Sequence, residues 1–340
     1  MYSLHPGVPG KRDRIQYHFS QEDMPGIFIL PGKREKRSMS RKTKGTLIAI
    51  IGIIFWSFTG VLISYLVTNF KIPPLMLAFW RDLFVCAALV PALFLIRRSL
   101  LRIHVYQLKF FAFYGLILAV FNSIWVLSVK ANGAAVATVM AYSSAGFTAI
   151  LAYWIFKEKL GLPKILAIIL SLSGCVLVSG AYKVEMWLLN PIAVITGLLS
   201  GLLFAGYSLM GKEAARRRIN PWTSLVYSFA FGTFFIMIFN LFPVLPGTAG
   251  SISNLVPDMP ISGWVMLIVL SLFPTIFGFG FYNMSMNYIP ASIANLLATL
   301  EPVMTTVEAY IFLDERMTLT QVIGSLIILS AMIVVQFEKE

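Results

Sequence analysis

Apolar runs of roughly 20 residues recur along this chain from Gly45 to Gln336. Wound as an α-helix, a run of that length crosses the hydrocarbon core of a bilayer, which is about 30 Å thick. Only 12% of the 340 residues are charged, about half the share found in a soluble domain. We therefore expect an all-α membrane protein with little chain left for a soluble domain.

Ten transmembrane helices fit the pattern of apolar runs. The predicted spans are residues 45–67, 74–96, 107–129, 133–156, 162–181, 190–211, 221–244, 263–287, 290–313 and 318–336. A proline stands in the first turn of three spans, at Pro74, Pro191 and Pro221. At that position a backbone N–H has no partner within the helix, so its absence costs no hydrogen bond.

The first 44 residues are polar and hold ten of the 27 Lys and Arg. This composition predicts a disordered cytosolic tail, and contact with anionic lipid is the alternative. Met39 lies directly before the first span and would serve as a translation start, so we expect residues 1–38 to be dispensable. Nucleic-acid binding is not indicated, because most other cations lie in short loops at span ends.

The distribution of Lys and Arg predicts the orientation in the membrane. With the amino terminus inside, 22 of these residues are cytosolic, four lie on the opposite side and Arg81 lies within a span. Cytoplasmic loops are enriched in positive charge. We therefore expect a multi-pass protein of the cell (inner) membrane with both termini cytoplasmic.

The second half of the chain repeats the first. Residues 133–158 align without a gap with residues 290–315, at an offset of 157 (315 − 158). The chain then divides into two repeats of five helices, 45–183 and 184–340. An odd number of helices turns the second repeat upside down relative to the first, and inverted repeats are typical of transporters.

Several residues in this arrangement resemble the EamA-type branch of the drug/metabolite transporter superfamily. They are the segment Pro74–Arg81, the paired Ala-rich spans that end at Glu158 and Glu315, and the dipeptide Glu301-Pro302. The resemblance covers nearly all of the chain beyond the tail. It implies ten helices in two inverted halves and transport of small organic solutes, often export of amino acids or related metabolites. The long basic tail departs from the family pattern.

Four charged residues fall well inside spans: Arg81, Asp82, Glu301 and Glu308. Each costs at least about 2.5–3.5 kcal/mol near the bilayer centre, so each needs a partner or a wet cavity. Glu301 lies near the middle of the ninth span, and Pro302 frees a backbone carbonyl close by. The carboxylate is a candidate to bind a cationic group of a solute or a coupling proton; a structural bond to a neighbouring helix is the alternative.

Adjacent residues of a helix point about 100° apart, so Arg81 and Asp82 are not expected to pair. Arg81 is predicted either to bind a solute carboxylate or to neutralise Glu308, and Asp82 to be a structural partner.

Further polar groups lie at mid-membrane depth. The other candidate substrate-binding residues are Trp125, Ser144, Tyr282, Asn122 and Asn283, with Tyr142 beside them. Hydrogen bonding between helices is the alternative role for each. The candidate gating residues are Glu158 and Glu315 at the ends of repeated spans, and Pro274, which with Gly278 and Gly280 weakens the eighth span. Solvated helix ends and close packing of small residues are the alternatives.

These features predict a secondary transporter, and specifically an exporter of small metabolites such as amino acids, working by alternating access. Import of sugar-like or nucleotide-sugar solutes, and a channel or non-transporting scaffold, remain open alternatives, as do proton coupling and a homodimer.

An enzyme is not expected, because His5, His18 and His104 all lie outside the spans. Cys86 and Cys175 fall in different spans and make no metal pair. The expected partners are a small solute and the lipid bilayer; we expect no cofactor and no metal.

Overall fold

The computed structural model describes residues 40–183, 191–242, 248–251, 254–313 and 318–336. Within these ranges the chain is helical and contains no strand. The helices are α1 (Arg41–Phe70), α2 (Pro74–Arg97), α3 (Val105–Tyr142), α4 (Ser144–Phe156), α5 (Leu162–Val178), α6 (Pro191–Arg216), α7 (Pro221–Asn240), α8 (Ile261–Leu270), α9 (Ile276–Ser285), α10 (Ala291–Ala298), α11 (Glu301–Leu313) and α12 (Leu319–Gln336). The predicted tail lies, up to residue 39, outside the described residues.

Seven stretches of the described chain are helical, long and apolar enough to cross a membrane. They are Arg41–Phe70, Pro74–Leu101, Val105–Trp125, Val139–Phe156, Val194–Arg216, Pro221–Asn240 and Ile261–Ser285. Leu162–Val178 and Leu319–Val334 are apolar helices of lesser length. Large apolar side chains such as Leu95, Ile169 and Ile333 are exposed on the surface of the bundle, as lipid contact requires. The expectation of a multi-pass helical membrane protein is confirmed; the count of ten spans stays a prediction.

The boundaries of the third and fourth predicted spans are wrong. No loop separates them at residues 130–132, because α3 continues to Tyr142. Alanines at 131, 134 and 135 favour helix there. The break comes instead at Ser143, whose hydroxyl donates to the Met140 carbonyl 2.6 Å away and so competes for a backbone acceptor.

The ninth predicted span is also broken, at Thr299 and Leu300 between α10 and α11. Pro302 accounts for this break. It has no N–H to donate to the carbonyl four residues earlier, and its ring clashes with that carbonyl in a continuous helix. The mid-span break therefore follows from the local sequence.

The eighth predicted span is distorted at Pro274, as its sequence suggested. A π-helical segment, Ser271–Thr275, joins α8 to α9. Pro274 cannot donate to the Leu270 carbonyl, and the Thr275 hydroxyl donates to it instead at 2.8 Å. A side chain thus restores a bond that the backbone cannot make within the membrane.

One close helix contact joins α5 and α12 through a glycine on each helix. A Cβ atom built on Gly174 would lie 2.7 Å from the Gly324 carbonyl oxygen, and one built on Gly324 would lie 2.8 Å from the Gly174 oxygen. These distances are too short for any side chain, so glycine at both positions lets the two backbones touch, as small residues do between membrane helices.

We expect Gly174→Ala to lower the stability of the protein by about 1–3 kcal/mol, because the added methyl forces two backbones apart. Gly60→Ala is the matched control: a Cβ there meets nothing within 4 Å, and alanine is the better helix former. Thermal unfolding of the purified variants in detergent measures both. Equal midpoints of thermal unfolding for Gly174→Ala and Gly60→Ala would contradict the close contact.

Candidate functional site

Glu301 is the first residue of α11, directly after the break in the ninth predicted span. The Tyr142 hydroxyl donates to its Oε2 at 2.5 Å, and Tyr142 is the last residue of α3. Two helix ends therefore meet at this carboxylate. Glu301 is half-buried and makes no ion pair with the part of the chain that the structure describes.

Glu308 lies two turns further along α11. Its Oε1 accepts a hydrogen bond from the Ser57 hydroxyl of α1, and its Oε2 is buried with no donor among the described residues. Between the two acids, the Thr305 hydroxyl donates to the Ser57 carbonyl at 3.2 Å. Residues 301, 305 and 308 thus share the face of α11 that points into the bundle.

The expectation that Arg81 and Asp82 do not pair was wrong. Arg81 Nε donates to Asp82 Oδ1 at 2.9 Å, and Nη2 lies 2.9 Å from the same oxygen. The Cβ atoms do point apart, but the long arginine side chain folds round the helix to reach the carboxylate. Both side chains are buried, and pairing spares each an isolated charge. The ion pairs of the described residues include none between Arg81 and Glu308, so they do not support the alternative that Arg81 neutralises Glu308.

Two predicted residues, Ser144 and Tyr282, belong to one buried hydrogen-bond chain. Ser144 Oγ donates to Asn295 Oδ1 at 2.9 Å, and Asn295 Nδ2 donates to Ser208 Oγ at 2.8 Å. Ser208 Oγ lies 2.8 Å from the Tyr282 hydroxyl. The chain crosses α4, α10, α6 and α9, and all four residues are fully buried. Sequence reasoning missed Asn295 and Ser208, although a lone amide in an Ala-rich span signals a buried group that needs partners.

Asn283 anchors a second polar group beside the first. Its Nδ2 donates to the Tyr207 hydroxyl at 3.1 Å, and its Oδ1 accepts from Tyr114 at 3.4 Å. The Asn122 side chain is buried, and its Nδ2 has no acceptor in the described ranges. Trp125 is half-buried, and none of the described contacts joins it to the other predicted residues.

Glu158, just beyond the end of α4, caps another helix. Its carboxylate accepts from the backbone N–H of Ala291 at 2.9 Å, from that of Ser292 at 3.4 Å and from the Ser292 hydroxyl at 2.5 Å. The first amides of a helix have no partner within it and carry partial positive charge, so a carboxylate stabilises them. The alternative of a merely solvated helix end is therefore wrong for Glu158. Glu315 lies outside the described residues.

Lys212, near the end of α6, holds the other side of the same turn. Its Nζ donates to the carbonyls of Met286 and Ile289, both at 2.9 Å. The turn at residues 286–290 between α9 and α10 is thus bound at its carbonyls by Lys212, while Glu158 binds the amides that follow. We call this arrangement the clamp. Sequence alone places Lys212 among the 22 predicted cytosolic cations but does not reveal which carbonyls a lysine reaches.

Membrane-length apolar helices, helix breaks in their interior and a half-buried carboxylate, Glu301, at one of those breaks define a polytopic membrane protein with an intramembrane polar site. The model of the EamA-like transporter family matches residues 43–180 and again residues 191–337. The chain therefore belongs to the EamA-like transporter family and is a membrane transporter, as the sequence resemblance predicted.

Known proteins of similar sequence are also transporters. A protein of Archaeoglobus fulgidus with the name "Uncharacterized transporter" is 28% identical over 221 residues, which cover 64% of this chain and 74% of that protein. The "Probable amino-acid metabolite efflux pump" of Escherichia coli (strain K12) is 25% identical over 299 residues, covering 86% of this chain and 94% of that protein. A solved crystal structure matches with a TM-score of 0.71 at 17% identity, over 86% of this chain and 96% of that one, and shows the same fold.

Glu158→Gln should loosen the turn at 286–290, because the amides at the start of α10 lose a charged acceptor. A lost cap costs about 0.5–2 kcal/mol. We expect backbone amides of residues 286–295 to exchange with deuterium several-fold faster in this variant. Glu213→Gln is the matched control, since Glu213 bonds to Arg217 on the surface of α6; unchanged exchange in Glu158→Gln would contradict the capping role.

Proposed function

We propose that this transporter moves solutes by alternating access of two inverted five-helix halves, residues 45–183 and 184–340, around a site at Glu301. One observation carries the proposal. The break at Ser143 and the break at Leu300 are 157 residues apart (300 − 143), the same offset as the sequence repeat. The Tyr142–Glu301 hydrogen bond joins these two breaks. Broken helices at equivalent positions of two halves are where transporters of this design bind solute.

The packing of helices supports the two inverted halves. The helix α1 packs on α9, and α6 packs on α3; each pair joins the first span of one half to the third span of the other. Helices in equivalent positions also pack on each other, α2 on α7 and α5 on α12. A single family model that matches both halves is a further support for duplication.

We propose a cytoplasmic location for both termini in the inner membrane. The support comes from Arg41, at the start of α1, which donates to the carbonyl of Asn287 at 3.3 Å. The start of α1 therefore contacts the clamp. The ends of α4 and α6 and the start of α10 meet there too. A chain that crosses the membrane ten times from a cytoplasmic start brings these ends to one side, the side with most Lys and Arg.

The Glu301 carboxylate would receive an ammonium group of the solute or a coupling proton. The described partner of this carboxylate is the neutral Tyr142 hydroxyl, so its negative charge remains available to pair with a mobile cation. We propose that Arg81, held by Asp82, attracts a solute carboxylate. Asn122, whose amide lacks an acceptor, would bind solute oxygen atoms. Trp125, Ser144, Tyr282 and Asn283 would line the path.

We propose amino acids and related metabolites as the solutes and export as the direction, and we propose that the chain performs no catalysis. The support is that the Escherichia coli relative bears the name "Probable amino-acid metabolite efflux pump". A solute with an ammonium and a carboxylate group matches an acid at Glu301 and a guanidinium at Arg81.

The clamp and the π-helical segment would act as gates. The hydrogen bonds of Glu158 and Lys212 tie α4 and α6 to the turn between α9 and α10, so opening this end requires their loss. The weakened backbone at Pro274 provides a bending point within the eighth span. By the repeat, Glu315 would take the role of Glu158 at the opposite end.

Cysteine labelling tests the inverted topology. In a cysteine-free background, a membrane-impermeant maleimide added to intact cells should label a cysteine at position 315 and leave one at position 158 unlabelled. Permeabilised cells should be labelled at both positions. Labelling of both positions from outside would contradict inverted halves.

Transport assays test the role of Glu301. In proteoliposomes, Glu301→Gln should reduce saturable amino-acid flux about tenfold or more, because the lost bond to a charged group is worth about 1.5–3 kcal/mol. Its remaining flux should no longer change with external pH, since glutamine does not titrate. Glu213→Gln should transport as the unmodified protein does. Unchanged flux and pH response in Glu301→Gln would refute the site, non-saturable flux would indicate a channel, and flux of nucleotide sugars alone would indicate the other solute class.

A further inference from the structure

We infer that Glu301 and Glu308 form a paired site for solutes that carry two ammonium groups. This inference rests on the proposed role of Glu301 and adds a second binding residue, Glu308, and a solute class. Its basis is a buried acid whose hydrogen-bonding capacity the described protein does not fill.

The two carboxylates lie on one face of α11. They are seven positions apart, which corresponds to about 10.5 Å along the axis and to nearly two whole turns, so they point in almost the same direction. Tyr142 of α3 bonds to Glu301 and Ser57 of α1 bonds to Glu308. Both acids therefore face other helices of the bundle and not lipid.

Neither acid has a positive partner in the described ranges. The ion pairs there are Arg81 with Asp82, and Glu213 with Arg216 and Arg217. Arg81, the one arginine within the predicted spans, is thus already engaged by a different carboxylate. No cation of the described ranges pairs with this face of α11, so we assign its positive partner to a solute.

Glu308 supplies the second, independent observation. Its side chain is only 8% exposed, and its Oε2 is buried without a donor. A buried carboxylate oxygen without a donor is costly, so Glu308 Oε2 retains the capacity to accept a donor that the described protein does not provide. An ammonium group brings three N–H donors and the matching charge.

The spacing determines the kind of cation. One divalent metal ion cannot bridge the pair, because metal–oxygen bonds are about 2–2.6 Å long and the acids lie about two helical turns apart. One ammonium group reaches only one of them. An extended alkane chain of about five or six carbons with an ammonium group at each end spans the gap, with its methylene groups beside Thr305.

Binding of two matched amines to the purified protein in nanodiscs tests the pair. Isothermal titration calorimetry compares 1,6-diaminohexane with 1-hexylamine, which differ by one ammonium group. We expect the diamine to bind about tenfold tighter or more, since its second charge gains one charge-assisted hydrogen bond. Glu308→Gln should weaken the diamine to the level of hexylamine and leave hexylamine binding within about twofold of the unmodified protein.

Further variants keep the test decisive. Glu308→Asp retains the charge but withdraws it by one methylene, so the diamine preference should persist and move towards a longer diamine; this holds even where the glutamine variant folds poorly. Glu213→Gln should bind both amines normally. Equal affinity for the two amines, or a diamine preference that survives Glu308→Gln, would overturn the pair.

The single-acid site can fail or survive separately. Loss of hexylamine binding in Glu301→Gln, without any diamine preference in the unmodified protein, would leave the proposed role of Glu301 standing and remove only the pair. Absence of binding by either amine would overturn the pair, and amino-acid flux of Glu301→Gln would then decide the proposed function on its own.

Discussion

The hydrocarbon core of a membrane offers no water, so each interrupted helix must find hydrogen-bond partners within the protein. The described structure meets this constraint in three ways. A side-chain hydroxyl, that of Thr275, replaces the donor lost at Pro274. Glu158 and Lys212 bind the groups exposed at the turn between α9 and α10. Where α11 starts, its first residue Glu301 is itself bonded by the end of α3. The turn between α9 and α10 and the start of α11 are thereby tied to other helices, whereas Thr275 restores a bond within its own span.

Much of the fold was predictable because helices that contact lipid require long runs of apolar residues, which are easily identified in the sequence. Runs of apolar residues indicated the spans, and Pro274 indicated the distortion in the eighth one. Pro302 indicates a break within the four residues before it as well as a free carbonyl. The break at Ser143 has no proline, and the loop predicted at residues 130–132 is absent because alanines there favour helix.

Hydropathy gives the depth of a residue but not the helix it faces. Depth therefore sufficed to identify Glu301, Ser144, Tyr282 and Asn283 as polar residues within the bundle, while their role in a site stays a prediction. It could not reveal Asn295 and Ser208, the residues that connect Ser144 to Tyr282. The error at Arg81 has a different origin, since the angle between adjacent Cβ atoms sets where a short side chain points but not where a long one ends.

The backbone contact between Gly174 and Gly324 has a genetic consequence. Each added side chain would meet the main chain of the other helix, which mutation cannot trim, as well as neighbouring side chains, which it can. A larger residue at 174 therefore has no compensating substitution at 324, where the smallest residue is already present. Second-site suppressors would arise at the neighbours that can yield, such as Ile328 and Leu177. Homologues of this protein should thus keep glycine at both positions, while the residues around the contact vary.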